Sequence, residues 1–142
     1  MQDIITVNHL SKSYGSHQVL NDISFSFQPG QIIALLGPNG SGKSSLIKIL
    51  TGLIHDYSGE VLIDGEVPGP STKAKIAYLP EKSYLADWMR AIDAIKYIAD
   101  FYPDFDRDKA MRMLDTFGLQ PKQKIKSMSK GMQEKLQLIL VM

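Results

Sequence analysis

The sequence predicts an α/β layered domain, and three observations carry that expectation. Near the front, Ile23-Ser24-Phe25-Ser26-Phe27 alternates apolar and polar residues at strand period. In the middle, the unbroken apolar run Ile32-Ile33-Ala34-Leu35-Leu36 enters a glycine-rich loop that leads into a stretch of helical period. From about residue 83 onward the spacing is helical.

Residues 4–10 and 23–27 are expected as strands, the second with one wetter face. Gln28-Pro29-Gly30-Gln31 reads as a turn. Residues 32–36 lack polar alternation, which predicts a parallel strand covered on both faces. Over 43–53 the residues Leu46, Ile49, Leu50 and Leu53 fall on one helical stripe. A short strand at 60–63 ends in the turn pair Asp64-Gly65, Pro68-Gly69-Pro70-Ser71 is a loop, and 75–79 is a further strand closed by Pro80. One helix is expected over 90–101. A second covers 106–117, capped by Asp104 or Asp106 and left at Gly118, with Met111, Met113, Leu114 and Phe117 as core packing. A last helix begins near Ser129. A boundary between the core and a helical insert falls at 80–90.

Composition narrows the class. The 142 residues suit one domain or part of one, and 44% hydrophobic with 22% charged residues is ordinary for a globular chain. A net charge of +1 offers no overall field toward nucleic acid or a membrane. The lysines at 122, 124, 126, 130 and 135 therefore read as a solvated face. With no cysteine there is no disulfide framework, and His9, His17 and His55 are too scattered for a metal site. The start, Met1-Gln2-Asp3, has no secretory pattern, and no apolar run approaches the roughly 20 residues of a membrane span.

The strongest motif is Gly37-Pro38-Asn39-Gly40-Ser41-Gly42-Lys43-Ser44, which matches G-x-x-x-x-G-K-[ST] at every fixed position. Glycines permit backbone angles and close approaches that a Cβ would block, so several N–H groups can converge on phosphate oxygens. The positive end of the following helix adds to the attraction. Lys43 supplies a cation for the outer phosphates, and the Ser44 hydroxyl suits Mg²⁺, a hard ion that takes oxygen ligands. An apolar strand before the loop and an amphipathic helix after it are the context the mechanism needs. This is a nucleotide phosphate site, the Walker A loop of a P-loop protein.

Other segments resemble one family of P-loop proteins. Lys12-Ser13-Tyr14-Gly15 followed by Val19-Leu20-Asn21-Asp22-Ile23-Ser24-Phe25 resembles the start of ABC-type (ATP-binding cassette) ATPases. Ser58-Gly59-Glu60-Val61-Leu62-Ile63-Asp64-Gly65 looks like the family's structural block after the P-loop helix. Ile76-Ala77-Tyr78-Leu79-Pro80-Glu81 resembles the Q-loop, in the Y-L-P-E variant of many exporters of the family. Met128-Ser129-Lys130-Gly131-Met132 resembles the L-S-G-G-Q signature, with Lys130 and Met132 departing from the commonest letters.

The resemblance implies a P-loop nucleotide hydrolase core with an N-terminal antiparallel β subdomain and a helical insert. About 1–82 would form the β subdomain and core, about 83–128 the helical subdomain and 129–142 the signature helix. ATP and Mg²⁺ are the implied cofactors. Tyr14 would stack on adenine, Gly37 to Ser44 together with Ser45 would hold the phosphates, and Lys43 would serve catalysis. Glu81 would act on the metal side with Ser44 and contribute to catalysis. Ser129 and Gly131, at a capped helix start, would close on the γ-phosphate held by another subunit. Implied partners are a second ATP-binding subunit and a transmembrane permease, with no nucleic acid. The implied location is cytoplasmic, peripheral on the inner face of the plasma membrane.

The family pattern continues with an apolar strand ending in Asp-Glu, a D-loop and a switch histidine, and none of these lies in the 142 residues. The expectation is a domain incomplete at its C-terminus, with an unfilled position in its core sheet. Such a chain would bind ATP without turning it over. Two further expectations stand beside the transporter ATPase: a non-hydrolysing nucleotide-binding or regulatory module, and a soluble family member outside transport.

Overall fold

The structure is a computed structural model that describes residues 2–142. Its residues form two compact units, one ending at Ile76 and the other beginning at Ala77. They are described separately.

The first unit is built on a three-stranded antiparallel sheet. Strand β1 (Ile5–Tyr14) turns through Gly15-Ser16 into β2 (His17–Phe27), and β3 (Ser58–Ile63) pairs with the other edge of β1, in the order β2-β1-β3. Both hairpin strands outrun the sequence expectation, which ended the first at residue 10 and began the second at 23. The reason is a pair of residues in left-handed conformation, His9 with φ 53° and Asp22 with φ 49°. They sit where the β1–β2 register shifts. A bulge inserts a residue and breaks period-2 alternation, so the pattern disappears while the ladder continues. Side chains take up the displaced donors: Ser24 Oγ accepts the His9 N–H at 2.8 Å, and Ser11 Oγ accepts the Asp22 N–H at 2.8 Å. The bulge also returns Leu10 to the face of Val7, and both are fully buried. Gly59 of β3 passes so close that a Cβ there would run into the His9 carbonyl oxygen.

Helix α1 (Lys43–Leu50) lays Leu46 and Ile49 into a core with Val7, Leu10, Leu20 and Val61. It ends earlier than the apolar stripe suggested. Thr51 N–H closes on the Ile47 carbonyl at 2.9 Å, Gly52 turns left-handed at φ 67°, and Leu53 is left exposed. The Asp64-Gly65 turn forms as expected, with φ values of 51° and 79°, and reverses the chain so that Ile63 and Glu66 exchange backbone hydrogen bonds. The expected loop at 68–71 is partly helical: α2 (Pro70–Lys73) is a single turn whose buried Thr72 takes the Gly69 N–H on Oγ1 at 2.9 Å.

Two expected strands do not form. Residues 32–36 carry no ladder, and Ile32 and Leu36 are almost wholly exposed; residues 75–79 also carry no ladder. An apolar run becomes a strand only through a partner for its N–H and C=O groups. The sheet among the described residues has the order β2-β1-β3, and neither run pairs with either of its edges.

The second unit is helical, with α3 (Ala91–Phe101), α4 (Arg107–Thr116) and α5 (Lys130–Val141). They enclose Ala94, Ile95, Ile98, Leu114, Leu136 and Ile139. Asp106 caps α4, its Oδ1 accepting the Lys109 N–H at 2.8 Å, and Gly118 leaves it at φ 70°. The start of α3 is tied down by the segment before α5: Ala91 N–H bonds the Gln123 carbonyl at 3.1 Å, and Ile125 N–H bonds the Met89 carbonyl at 2.9 Å. No helix among the described residues is long and apolar enough to cross a membrane.

Candidate nucleotide-binding site

In the first unit, the loop from Gly37 leads into the start of α1. Gly40 and Gly42 take left-handed φ values of 82° and 92°, and Gly42 is the residue before the first helical turn. A Cβ on Gly42 would lie 2.5 Å from the Val19 carbonyl oxygen and 2.8 Å from Leu20 Cδ2, so this glycine seats the loop directly on β2. A Cβ on Gly37 would lie 2.8 Å from Ser41 Oγ. Left-handed residues beside helical ones turn successive N–H groups toward a common hollow, the geometry that binds anions.

No side chain caps α1, and its first turn carries no acidic residue. The first N–H groups of a helix have no partner within it, so this end is open and positively polarised. Lys43 curls over its own loop: Nζ donates to the Gly37 carbonyl at 2.5 Å and the Pro38 carbonyl at 2.7 Å, with Ser41 Oγ at 3.5 Å. The cation is thus held on the loop that leads into the uncapped helix end. Asn39 and Ser44 are exposed beside them.

Tyr14 ends β1 and reaches this loop. Its hydroxyl is 3.2 Å from Ser45 Oγ in the first turn of α1, and the residue is about half exposed. Lys12, which the sequence motif contains without a role, and Asp56, which the motifs do not include, are linked to this ring. The Lys12 ammonium sits 4.7 Å from the centre of the Tyr14 ring and pairs with Asp56 Oδ2 at 2.9 Å. Lys12 is buried. A signal existed: Lys12 follows Leu10 by two residues, the parity of the core-facing side of the strand, where a lysine is out of place.

Ser129 and Gly131 meet at the start of α5 in the second unit. Ser129 is the N-cap, its Oγ accepting the Met132 N–H at 3.2 Å. A Cβ on Gly131 would meet nothing within 4 Å. Gln133 Nε2 donates to the Ile125 carbonyl at 3.2 Å and the Met128 carbonyl at 3.4 Å, pinning the approach to this helix. Glu81 is exposed in the loop after Pro80, also in the second unit. No group of three or more His, Asp or Glu residues stands ready for a metal among the described residues.

The comparisons with known proteins agree with one another. The ABC transporter family model matches residues 20–142. The zinc import ATP-binding protein ZnuC of Yersinia enterocolitica is 38% identical over 133 residues, covering 88% of this chain and 48% of that protein. The SkfA peptide export ATP-binding protein SkfE of Bacillus subtilis is 38% identical over 111 residues, covering 78% of this chain and 46% of that protein. A solved ATP-binding subunit of an ABC transporter superposes with a TM-score of 0.81 at 29% identity, over 97% of this chain and 61% of that one. The chain spans about half the length of the curated relatives it matches. With the P-loop, the antiparallel sheet and the helical unit each established, the chain belongs to the ABC transporter family and has the fold of its ATP-binding cassettes.

Proposed function

We propose that this chain binds MgATP as the nucleotide-binding portion of an ABC transporter ATPase. The observation that carries the reading is the loop at the start of α1, where left-handed Gly40 and Gly42 lead into an uncapped helix end and Lys43 Nζ rests on the loop carbonyls. In this reading the backbone of Gly37, Pro38, Asn39, Gly40, Ser41 and Gly42 wraps the phosphates, Lys43 faces the outer ones, and Ser45 supports the first turn. Ser44 offers its hydroxyl to Mg²⁺. Mg²⁺ is held largely by substrate phosphates and water with few protein oxygens, the exposed Ser44 hydroxyl is a ligand of that type, and the ion when bound would offset phosphate charge. Tyr14 presents its ring to adenine.

The residues of the second unit extend the same reading. Ser129 and Gly131 form a serine-capped helix start, uncluttered at Gly131, that would suit a γ-phosphate on a second ATP-binding subunit, and Glu81 would take a metal-side role by its resemblance to the Q-loop. We divide the chain into a β subdomain with P-loop core over about 1–82, a helical subdomain over about 83–128 and the signature helix over 129–142. The partners are that second subunit and a membrane permease, which would place the chain on the cytoplasmic face of the membrane. The matched relatives include an import and an export ATPase, so the proposal names no cargo. The family resemblance implies an aspartate that completes Mg²⁺ coordination and a glutamate that polarises the attacking water, and the strand that would carry them is not among these 142 residues. We therefore read them as binding ATP without turnover on their own.

The test is Lys43→Ala. Loss of a charged partner should weaken ATP binding by about 2–4 kcal/mol in a calorimetric titration. Unchanged affinity would sink the assignment of the phosphate site.

A further inference from the structure

Lysine is rarely buried unless something specific holds it. Lys12 keeps only 4% of its side chain exposed, while its counter-ion Asp56 is 98% exposed. The pair is lopsided: the carboxylate lies in water, and the ammonium is drawn inward to 4.7 Å from the Tyr14 ring centre. That is well inside the roughly 6 Å range of a cation–π contact. The other end of the same ring is fastened, its hydroxyl 3.2 Å from Ser45 Oγ on α1. A flat ring held from behind by a cation and at its tip by a hydroxyl has lost most of its freedom, yet Tyr14 remains 49% exposed.

We infer that Lys12, anchored by Asp56, is a positioning residue for Tyr14 that sets both the angle and the electronic character of the ring as a base platform. The inference rests on the proposed stacking of adenine on Tyr14 and goes beyond it. Two effects follow from the geometry. A ring pinned before the ligand arrives loses less freedom when a base stacks on it, which is preorganisation. A cation on one face also draws π density toward itself, so the opposite face repels the electron-rich face of a second ring less. Both effects concern the base alone. Lys12 should therefore matter for adenine and be indifferent to the phosphates.

The experiment titrates ATP and inorganic triphosphate separately into the full chain and into Lys12→Met, Lys12→Arg, Asp56→Ala, Tyr14→Ala and the double variant Lys12→Met/Tyr14→Ala. Each protein is first checked for folding by its circular-dichroism melt. Lys12→Met should lose about three- to tenfold in ATP affinity, the range of a partly desolvated cation–π contact, with triphosphate unchanged. Lys12→Arg should restore most of the loss. In the Tyr14→Ala background the lysine substitution should have no further effect. Equal losses for both ligands, or the same loss with Tyr14 already gone, would overturn the inference. Should Lys12→Met fail to fold, Asp56→Ala decides, because it keeps the lysine and removes only its exposed anchor. An ATP-specific loss there supports the inference, and none overturns it. If Tyr14→Ala costs ATP and triphosphate alike, the adenine platform itself fails, and Lys12 with it. If that loss is ATP-specific while Lys12→Met shows none, the platform stands and only the role of Lys12 falls.

Discussion

Tyr14 Oη and Ser45 Oγ lie 3.2 Å apart, 31 residues distant in sequence. This contact joins the end of β1 to the first turn of α1, so an aromatic ring and the phosphate loop are held by one hydrogen bond. Relative placement of a base site and a phosphate site is what a nucleotide-binding protein has to fix, because misplacing either spoils the binding of both together.

Substitutions at that contact should separate the ring from the tether. Tyr14→Phe and Ser45→Ala each remove the hydrogen bond and should cost about 0.5–1.5 kcal/mol of stability. Tyr14→Phe keeps the ring and should still prefer ATP over inorganic triphosphate in a competition titration. Tyr14→Ala should lose that preference. Equal losses for both ligands would reduce Tyr14 to a structural residue.

The two left-handed glycines of the loop should differ. Gly40→Ala has open space and meets only the left-handed backbone, a cost of about 1–2 kcal/mol. Gly42→Ala meets the same penalty and also drives its Cβ against the Val19 carbonyl oxygen. Thermal melts should show a clearly larger fall for Gly42→Ala, together with loss of ATP binding. Matching melts would mean the loop does not rest on β2 through this residue.

At Ser129, capping and anion binding can be told apart. Ser129→Ala removes the acceptor of the Met132 N–H and should cost about 1 kcal/mol in chemical denaturation. Ser129→Asp restores an acceptor and suits the helix dipole, so stability should return. Its negative charge would repel a phosphate, so ATP-dependent association with a second ATP-binding subunit should be lost in this variant. Association equal to that of the parent would leave Ser129 as a cap alone.

The turn after β3 should respond to pH on both sides. The Ser71 hydroxyl, followed by Lys75, holds the Glu66 carboxyl below its ordinary range, and the hydrogen bonds that Lys75 donates to Asp64 and then to Glu66 hold its ammonium above its own. A lowered carboxylate stabilises the fold above its ordinary pKa, and that support is lost as pH falls through the folded value. A raised ammonium stabilises below its ordinary pKa, and that support is lost as pH rises through its folded value. Protection factors of the Asp64 and Glu66 amides, corrected for intrinsic exchange, should therefore be highest between those limits and lower in acid and in alkali. All three groups are exposed, so the effect should shrink in high salt. Ser71→Ala and Lys75→Met should each raise the Glu66 titration, and a titration unmoved by both would contradict the assignment.

What the sequence by itself determined was local. The P-loop spacing, the Asp64-Gly65 turn, the Asp106 and Ser129 caps and the exit at Gly118 each need only a few neighbouring residues to satisfy a backbone angle or an orphan N–H, so they could be read in order along the chain. The tertiary structure decided whatever needed a distant partner. It carried β1 and β2 through their bulges, because ladder pairing across the strands outlasts a broken alternation. It left residues 32–36 without a ladder although their composition suits a strand, since pairing depends on the neighbour and not on the run itself. It also buried Lys12 beneath Tyr14 by bringing Asp56 from 44 residues away. A charge can be taken out of water only where its counter-charge and the shape around it already exist, and both are properties of the folded chain.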